Sequence, residues 1–562
     1  MPKLNRHSTR PAMRRVVVVV TVGALGLTLA SCSSKSSSSS TSGTTPSPTS
    51  AVQLVDTTPA AKGPLDSLTW DLPLGEPTTL DYVKAADYSP DMVISNLCES
   101  LLRLNPDYTM SPNLATAWKT SDDHLTTTFT LRSDVTFWDG KPMTSQDVVY
   151  SLKRNLDPNN GPVNGAFFDH VKSITATSPT EVVVTFNTPD ELFIKEMSTI
   201  AGDVSEQAFT EAQGEKYGSA EGGVMCTGPF KIESWNAGQN IVLAANDAYW
   251  NASNKALAKK VTLSFITDTS TLVQALKSGE IQGTYEAPQA ALPALTNADS
   301  GTVYQGQSLQ VIELVPNSPG PAADPKIREA LAMVIDRAAL AKAVFHGTAE
   351  PNYTLIPNAA WDPSATDVYQ SAWDALPKST TIDIAAAKAL IAGNPNAEKP
   401  INLAILAGDQ TEIDTATLIQ QEAATIGLTV NIQQVQPLAF SSAFFDPEAR
   451  KGMDFLLTQG FLDVKDPLDY LGLIVNADSL FNFTHYDNPE VTKLITTARS
   501  TYDDKARAEL ITQAQALYEK EHVVIPMLSM HESLFMNKKV TGAPASFAYI
   551  FEPSLASVGS AP

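Results

Sequence analysis

Catalytic and metal-binding signatures are missing from this 562-residue chain. It contains no HExxH, no GxxxxGK[ST] phosphate loop, no GxSxG and no CxxC. There are seven histidines, and His522 and His531 near the C-terminus have no partner four residues on, so they read as surface or core residues. Three cysteines are too few for a disulfide framework. No histidine stands at ligand spacing from Cys98 or Cys226, which argues against zinc. Positive charge is scarce, with 39 Lys and Arg against 61 Asp and Glu and a formal net charge of −22. That balance speaks against a nucleic-acid or anionic-membrane surface. After the first 32 residues no apolar run is long enough to span a membrane, and no repeat of 20–50 residues occurs. With no nucleophile–base set in view, the expectation is a non-enzyme without a cofactor or bound metal.

What is present is a globular composition, 43% hydrophobic with seven Trp and 20 Phe, in a chain long enough for two or three domains. Residues 1–32 read as an export signal. Lys3, Arg6, Arg10, Arg14 and Arg15 precede an apolar stretch from Val16 to Ala30, too short for a comfortable span. It ends in Leu29-Ala30-Ser31-Cys32, which resembles a lipobox. Cleavage before Cys32 and acylation of its thiol would tether the chain to the outer face of the cytoplasmic membrane, facing a periplasm or an open cell surface. A signal peptide with a chance cysteine is the alternative. Residues 33–64 are rich in Ser, Thr, Pro and Gly and read as a disordered tether, with folding beginning near Leu65.

The most informative stretch runs from Trp118 to Arg154. Leu125, Thr127, Phe129 and Leu131, then Val135 and Phe137, alternate at period two around Arg132-Ser133-Asp134, predicting a β-ribbon with a polar turn. Asp139-Gly140-Lys141-Pro142 is a second turn. Thr144 stands three residues before Asp147 at the head of Val148, Val149 and Leu152, predicting an N-capped helix.

Trp118, Phe129, Leu131, Arg132, Phe137, Asp139, Gly140, Thr144, Asp147 and Val148 together resemble the signature of family 5 extracellular solute-binding proteins, the dipeptide- and oligopeptide-binding components of ABC importers. Further stretches resemble the same family. These are Gly75-Glu76-Pro77 through Leu80-Asp81; Thr227-Gly228-Pro229-Phe230 with Trp235, Gly238, Asn246, Tyr249 and Trp250; Ala275 to Ile281 with Gly279 as a helix C-cap; and Asp324-Pro325 opening a helix. The resemblance covers roughly residues 66 to 550. It implies an α/β, two-lobe periplasmic-binding-protein-like fold with an extra subdomain inserted in lobe one. Lobe one would comprise 65–90, 213–315 and 525–555, the insert 91–212, and lobe two 316–524. Crossings near Leu314-Val315 and Val524-Ile525 would form the hinge, and Val523 to Met530 would be a strand returning to the first lobe. Cys98 and Cys226 both replace residues of family motifs. In an exported protein they read as one disulfide, with two buried free thiols as the alternative.

The same resemblance locates a ligand site. Thr458-Gln459-Gly460-Phe461-Leu462-Asp463-Val464-Lys465-Asp466-Pro467 follows the apolar Phe455-Leu456-Leu457. In peptide-binding members the first Asp of such a loop takes the peptide α-ammonium. Asp463 would do so here, with the backbone of Gln459, Gly460 and Phe461 pairing the ligand as an added strand. The other reading of Asp463 is a turn cap. Glu76, Pro77 and Phe167 would form the opposing wall, and Trp138, Trp235 and Trp250 read as packing. The implied function is capture of short peptides between lobes and delivery to ABC permease subunits, by a monomer. The alternatives are a non-peptide solute, such as a metal chelate or oligosaccharide, on the same fold, and a stand-alone surface lipoprotein or sensor.

Overall fold

The computed structural model describes residues 53–376, 382–477 and 479–562. The export signal, Cys32 and the first part of the tether lie outside the described residues. Three sheets organise the chain. A seven-stranded sheet has the order Gly301–Gly306, Glu532–Asn537, Gly283–Thr284, Leu68–Asp71, Lys260–Ser264, Asn240–Ala245, Phe230–Asn236. Its strand Leu68–Asp71 runs parallel to both neighbours and buries Leu68 and Trp70, while Val261, Leu263, Ile241 and Leu243 line the same core. A six-stranded sheet has the order Ala349–Pro351, Ile525–Met530, Gln310–Pro316, Phe455–Phe461, Ile401–Leu406, Val430–Val435. Helices such as Pro325–Val334 and Gln410–Thr425 pack on it, N-capped by Asp324 and Asp409.

The third sheet, of four antiparallel strands, belongs to the expected insert: Ala115–Thr120, Thr126–Leu131, Glu181–Phe186, Val171–Ser178. Phe129, Leu131, Val182, Val184 and Phe186 are buried in strict alternation. The strand Thr126–Leu131 takes Ala115–Thr120 as its partner, not the Val135–Phe137 segment that alternation suggested. Val135 and Phe137 still enter the core, but Arg132 grips Asp134 through two hydrogen bonds of 2.9 and 2.7 Å and turns the chain out of the sheet. The helix Ser145–Arg154 begins with the full Thr144–Asp147 capping box.

Two expectations need correction. Residues 55–63 are not part of a free tether. Val55 donates its backbone N–H to the Gln305 carbonyl at 2.9 Å, Thr58 to Ala543 at 2.9 Å, and Ser560 to Gly63 at 2.9 Å. Most of this pairing is backbone, with Thr58 Oγ1 adding a bond to the Ala543 carbonyl at 3.0 Å, so a Thr/Pro/Ala composition gave little sign of it. The lobe boundary expected at 315/316 falls inside a strand, and the one expected at 524/525 gives the strand Ile525–Met530 to the wrong sheet. Gln310–Pro316 is buried at every position and paired on both sides, by Phe455–Phe461 and by Ile525–Met530. A strand held along both edges cannot be divided between two bodies. Ile525–Met530 therefore belongs to the six-stranded sheet, and the chain passes between the two large sheets at 307–309 and at His531.

Cys98 and Cys226 are joined in a disulfide. It ties the C-cap of helix Tyr88–Leu97 to the loop that precedes Phe230–Asn236. Beside it, Gly228 lies so close that an added Cβ would sit 2.4 Å from the Leu97 carbonyl oxygen. The buried Glu99 next to Cys98 gathers three motif side chains. Thr227 Oγ1, Tyr249 Oη and Trp250 Nε1 donate to its carboxylate at 2.6, 2.7 and 2.8 Å. That convergence accounts for why these residue types recur together here: a buried carboxylate needs several donors.

Candidate functional site

The strand Phe455–Phe461 carries the expected loop and is paired unequally. Along one edge all seven residues meet Gln310–Pro316. Along the other, only Phe455 and Leu456 pair, with Leu403 and Ala404. Among the described residues, no strand pairs with that second edge from Leu457 to Phe461. Thr458, Gln459, Gly460 and Phe461 are half-buried, and this edge meets residues of the first half of the molecule. A free edge of this kind is a template for an extended ligand.

Groups from the first half close over it. The Tyr88 hydroxyl, at the start of helix Tyr88–Leu97, donates to the Gln459 carbonyl at 3.3 Å. Gln459 Nε2 donates to Glu286 at 3.0 Å, and Gln310 Nε2 donates to the other Glu286 oxygen at 2.6 Å. Phe461 packs edge-on against Tyr88 and Phe547, with ring centroids 5.1 and 5.3 Å apart. Gly460 is fixed by close approach: a Cβ there would stand 2.2 Å from the Tyr470 hydroxyl, which itself donates to the buried Glu313. Gly460→Ala is expected to lower stability by about 1–3 kcal/mol through overpacking. Urea unfolding would read this, and an unchanged midpoint would show that the Tyr470 ring shifts aside without cost.

Asp463 lies just beyond the strand, in a group of carboxylates. Glu196, the last residue of helix Leu192–Glu196, and Asp469, in the first turn of helix Pro467–Ile474, each bring a carboxylate oxygen to it. The three oxygens lie within 4.8 Å of one another. Asp469 Oδ2 accepts the Asp463 backbone N–H at 2.5 Å, which orients both residues. Glu196 is fully buried, and neither of its carboxylate oxygens has a hydrogen-bond partner. Asp91, buried on the facing helix, also has one oxygen without a partner. Among the described residues, none of these four carboxylates is in a salt bridge. Desolvation pushes the Asp463 carboxyl up to about 7. Burial first, and then repulsion within the group, raises Glu196, Asp469 and Asp91 well above the usual carboxylate range.

Three residues away the electrostatics reverse. Asp466 N-caps the helix Pro467–Ile474 and is fully buried. It accepts from Lys195 at 2.7 Å and from Arg507. Burial alone would raise its carboxyl, but the charges of Arg507 and Lys195 outweigh that and hold it well below the ordinary value. The loop therefore has one carboxylate with its cations in place and another that has no salt bridge among the described residues.

The remaining expected site residues separate. Phe167 is buried and lines a cavity of about 130 Å³ together with Leu192, Leu468, Leu473 and Asp469, so it lies next to the carboxylate group. Glu76 does not. It is exposed and accepts from Trp235 Nε1 and the Gly238 backbone, both at 2.8 Å, so that it fastens the hairpin joining Phe230–Asn236 to Asn240–Ala245. Pro77 is buried beside it. Reading the sequence missed Glu196, Asp469 and Tyr88. The available signal was faint: a Glu one helical turn after Leu192 on an otherwise apolar face, and an acidic residue three positions after Asp466.

Residues 109–481 match the family described as bacterial extracellular solute-binding proteins, family 5, middle region. That is more than half of the chain. The protein belongs to family 5 of these solute-binding proteins. Among its relatives is the dipeptide-binding protein DppE of Bacillus subtilis, 26% identical over 488 residues, covering 83% of this chain and 87% of the relative. Solved structures of similar fold include the oligopeptide-binding protein AppA of Bacillus subtilis in complex with a nonapeptide. Its TM-score is 0.77 at 19% identity, covering 89% of this chain and 100% of AppA. The murein tripeptide binding protein MppA of Escherichia coli also has a TM-score of 0.77, at 21% identity, covering 90% and 99% of the two chains. In this family 5 protein, no helix among the described residues is long and apolar enough to cross a membrane.

Proposed function

We propose that this protein is the exported receptor of an ABC importer for short peptides, tethered by acyl chains on Cys32. It would take its ligand as a monomer between the two halves and hand it to membrane permease subunits. The observation that carries the reading is the free edge of Phe455–Phe461 ending beside Asp463, whose carboxylate has no salt bridge among the described residues. Main-chain pairing along residues 457–461 would hold a peptide backbone without regard to its side chains. Asp463 would fix the register by taking the α-ammonium, since a charge in such surroundings must be paired. The cavity beside Phe167 offers room for a side chain. The peptide ligands named for DppE, AppA and MppA support the same reading. Closure would swing the halves about 307–309 and His531.

Native mass spectrometry of the protein purified without added ligand, then mixed with a tripeptide library, tests this. Adducts at peptide masses are the expected result. A single adduct of sugar or metal-chelate mass, or no retention of any library peptide, would overturn the peptide assignment while leaving the fold untouched.

A further inference from the structure

The carboxylate group around Asp463 is larger than one ammonium–carboxylate pair requires, and its geometry specifies the cation. A primary ammonium has three N–H donors at tetrahedral angles. With charge-assisted N···O distances of about 2.8 Å, three acceptors around it stand ~4.6 Å apart. Glu196, from one segment, and Asp463 and Asp469, from a second, present three oxygens within 4.8 Å of one another, a limit that accommodates such a triangle. Glu196 is fully buried with both oxygens unpartnered, so the trio is not satisfied internally.

We propose that Glu196 and Asp469 complete a three-carboxyl cradle with Asp463 that admits only a primary ammonium, –NH3+, at the head of the ligand. This deepens the peptide reading and rests on it. Peptides beginning with proline, or with any N-alkylated residue, present only two N–H donors. They would leave one acceptor buried and unmatched, and a carbon would take its place. Charge agrees with the geometry. Burial and mutual repulsion favour the protonated forms of Glu196 and Asp469, whereas Asp463 sits at about 7. An arriving ammonium therefore meets Asp463 as its one readily ionised partner, with Glu196 and Asp469 accepting through carboxyl oxygens. A divalent cation would instead draw all three carboxyls into the ionised form.

The deciding experiment compares three tripeptide libraries of the same sequences, with free, N-methylated and N-acetylated amino ends. Binding is followed by native mass spectrometry and calorimetric titration of the wild-type protein and of Glu196→Leu. The wild type should bind the free-amine set and lose roughly tenfold or more on N-methylation. Proline-first peptides should be depleted from the bound set. In Glu196→Leu the methylation penalty should shrink towards unity with thermal stability kept or raised, because a buried unpartnered carboxylate has been removed. Glu196→Gln, which retains an acceptor oxygen, should keep the selectivity. If Glu196→Leu fails to fold, the wild-type comparison of free and N-methylated peptides decides alone. Equal binding of those two sets overturns the cradle and leaves the Asp463 assignment standing. Equal binding of the N-acetylated set, or no peptide bound from any set, overturns both. Glu196-dependent binding of Mn²⁺ or Ca²⁺ without amine selectivity overturns the cradle in favour of a metal site.

Discussion

Asp463→Ala should weaken binding of free-amine tripeptides by about 2–5 kcal/mol, the range for truncating one partner of a buried charge pair. Isothermal titration would read it directly, and an unchanged affinity would remove Asp463 from the site. The expectation rests on asymmetry. Asp466, three residues on, has Lys195 and Arg507 against it, whereas Asp463 stands with Glu196 and Asp469 and near Asp91, and forms no salt bridge among the described residues. Without a cation the Asp463 carboxyl holds its proton up to about pH 7. A bound ammonium favours the ionised form, so its entry below pH 7 must expel a proton. Affinity should therefore fall by up to tenfold per pH unit below about 7. It should fall again above about pH 8, where a peptide α-amine loses its own charge. The groups facing Asp463 are Asp91 from helix Tyr88–Leu97, Glu196 from Leu192–Glu196, which also feels the Arg499 cation, and Asp469 from the helix it precedes. The Asp463 shift itself is set by burial. Proton release, measured by titration in buffers of different ionisation enthalpy, should grow as pH is lowered from 7.

Asp466→Ala should be the more damaging change to the fold, lowering unfolding free energy by about 3–5 kcal/mol, as expected when one member of a buried ion network is removed. Arg507 and Lys195 would be left buried without their strongest partner, and the helix Pro467–Ile474 would lose its cap. The sign of the pH dependence follows from the depressed carboxyl. Its stabilisation is complete above the unfolded value near 3.9 and is lost as pH falls towards the lower folded value. Wild type should therefore lose stability steeply below about pH 4, while the variant, already without that contribution, should show a shallower acid limb in urea unfolding. The network also spans the insert and the six-stranded half, through Lys195 and Arg507. Loosening it should shift Asp463 and weaken peptide binding as a secondary effect. An Asp466→Ala protein as stable as wild type at pH 7 would show that the network contributes no net stability.

The sequence by itself determined the local elements and the family. Alternation in Thr126–Leu131 and Glu181–Phe186, the Thr144–Asp147 capping box, the Gly279 helix end and the Asp324 cap all depend on neighbours a few residues apart. Short-range periodicity and capping are recorded in order along the chain. The run of motifs from Trp118 to Trp250 pointed to the family for the same reason, and the position of Asp463 came with it.

Tertiary structure alone decided which side chains meet. Nothing in the residues around Glu196 indicates that it stands against Asp463, because that contact depends on two segments docking from different parts of the fold. Glu76, adjacent to Pro77 in a family motif, proved to fasten a hairpin because Trp235 and Gly238 lie beside it in space. Residues 55–63 were folded mainly by backbone pairing, which leaves little mark in composition. The strands Gln310–Pro316 and Ile525–Met530 were legible as apolar runs. Their assignment to the six-stranded sheet required knowing their partners, since a buried strand looks the same from sequence in either sheet.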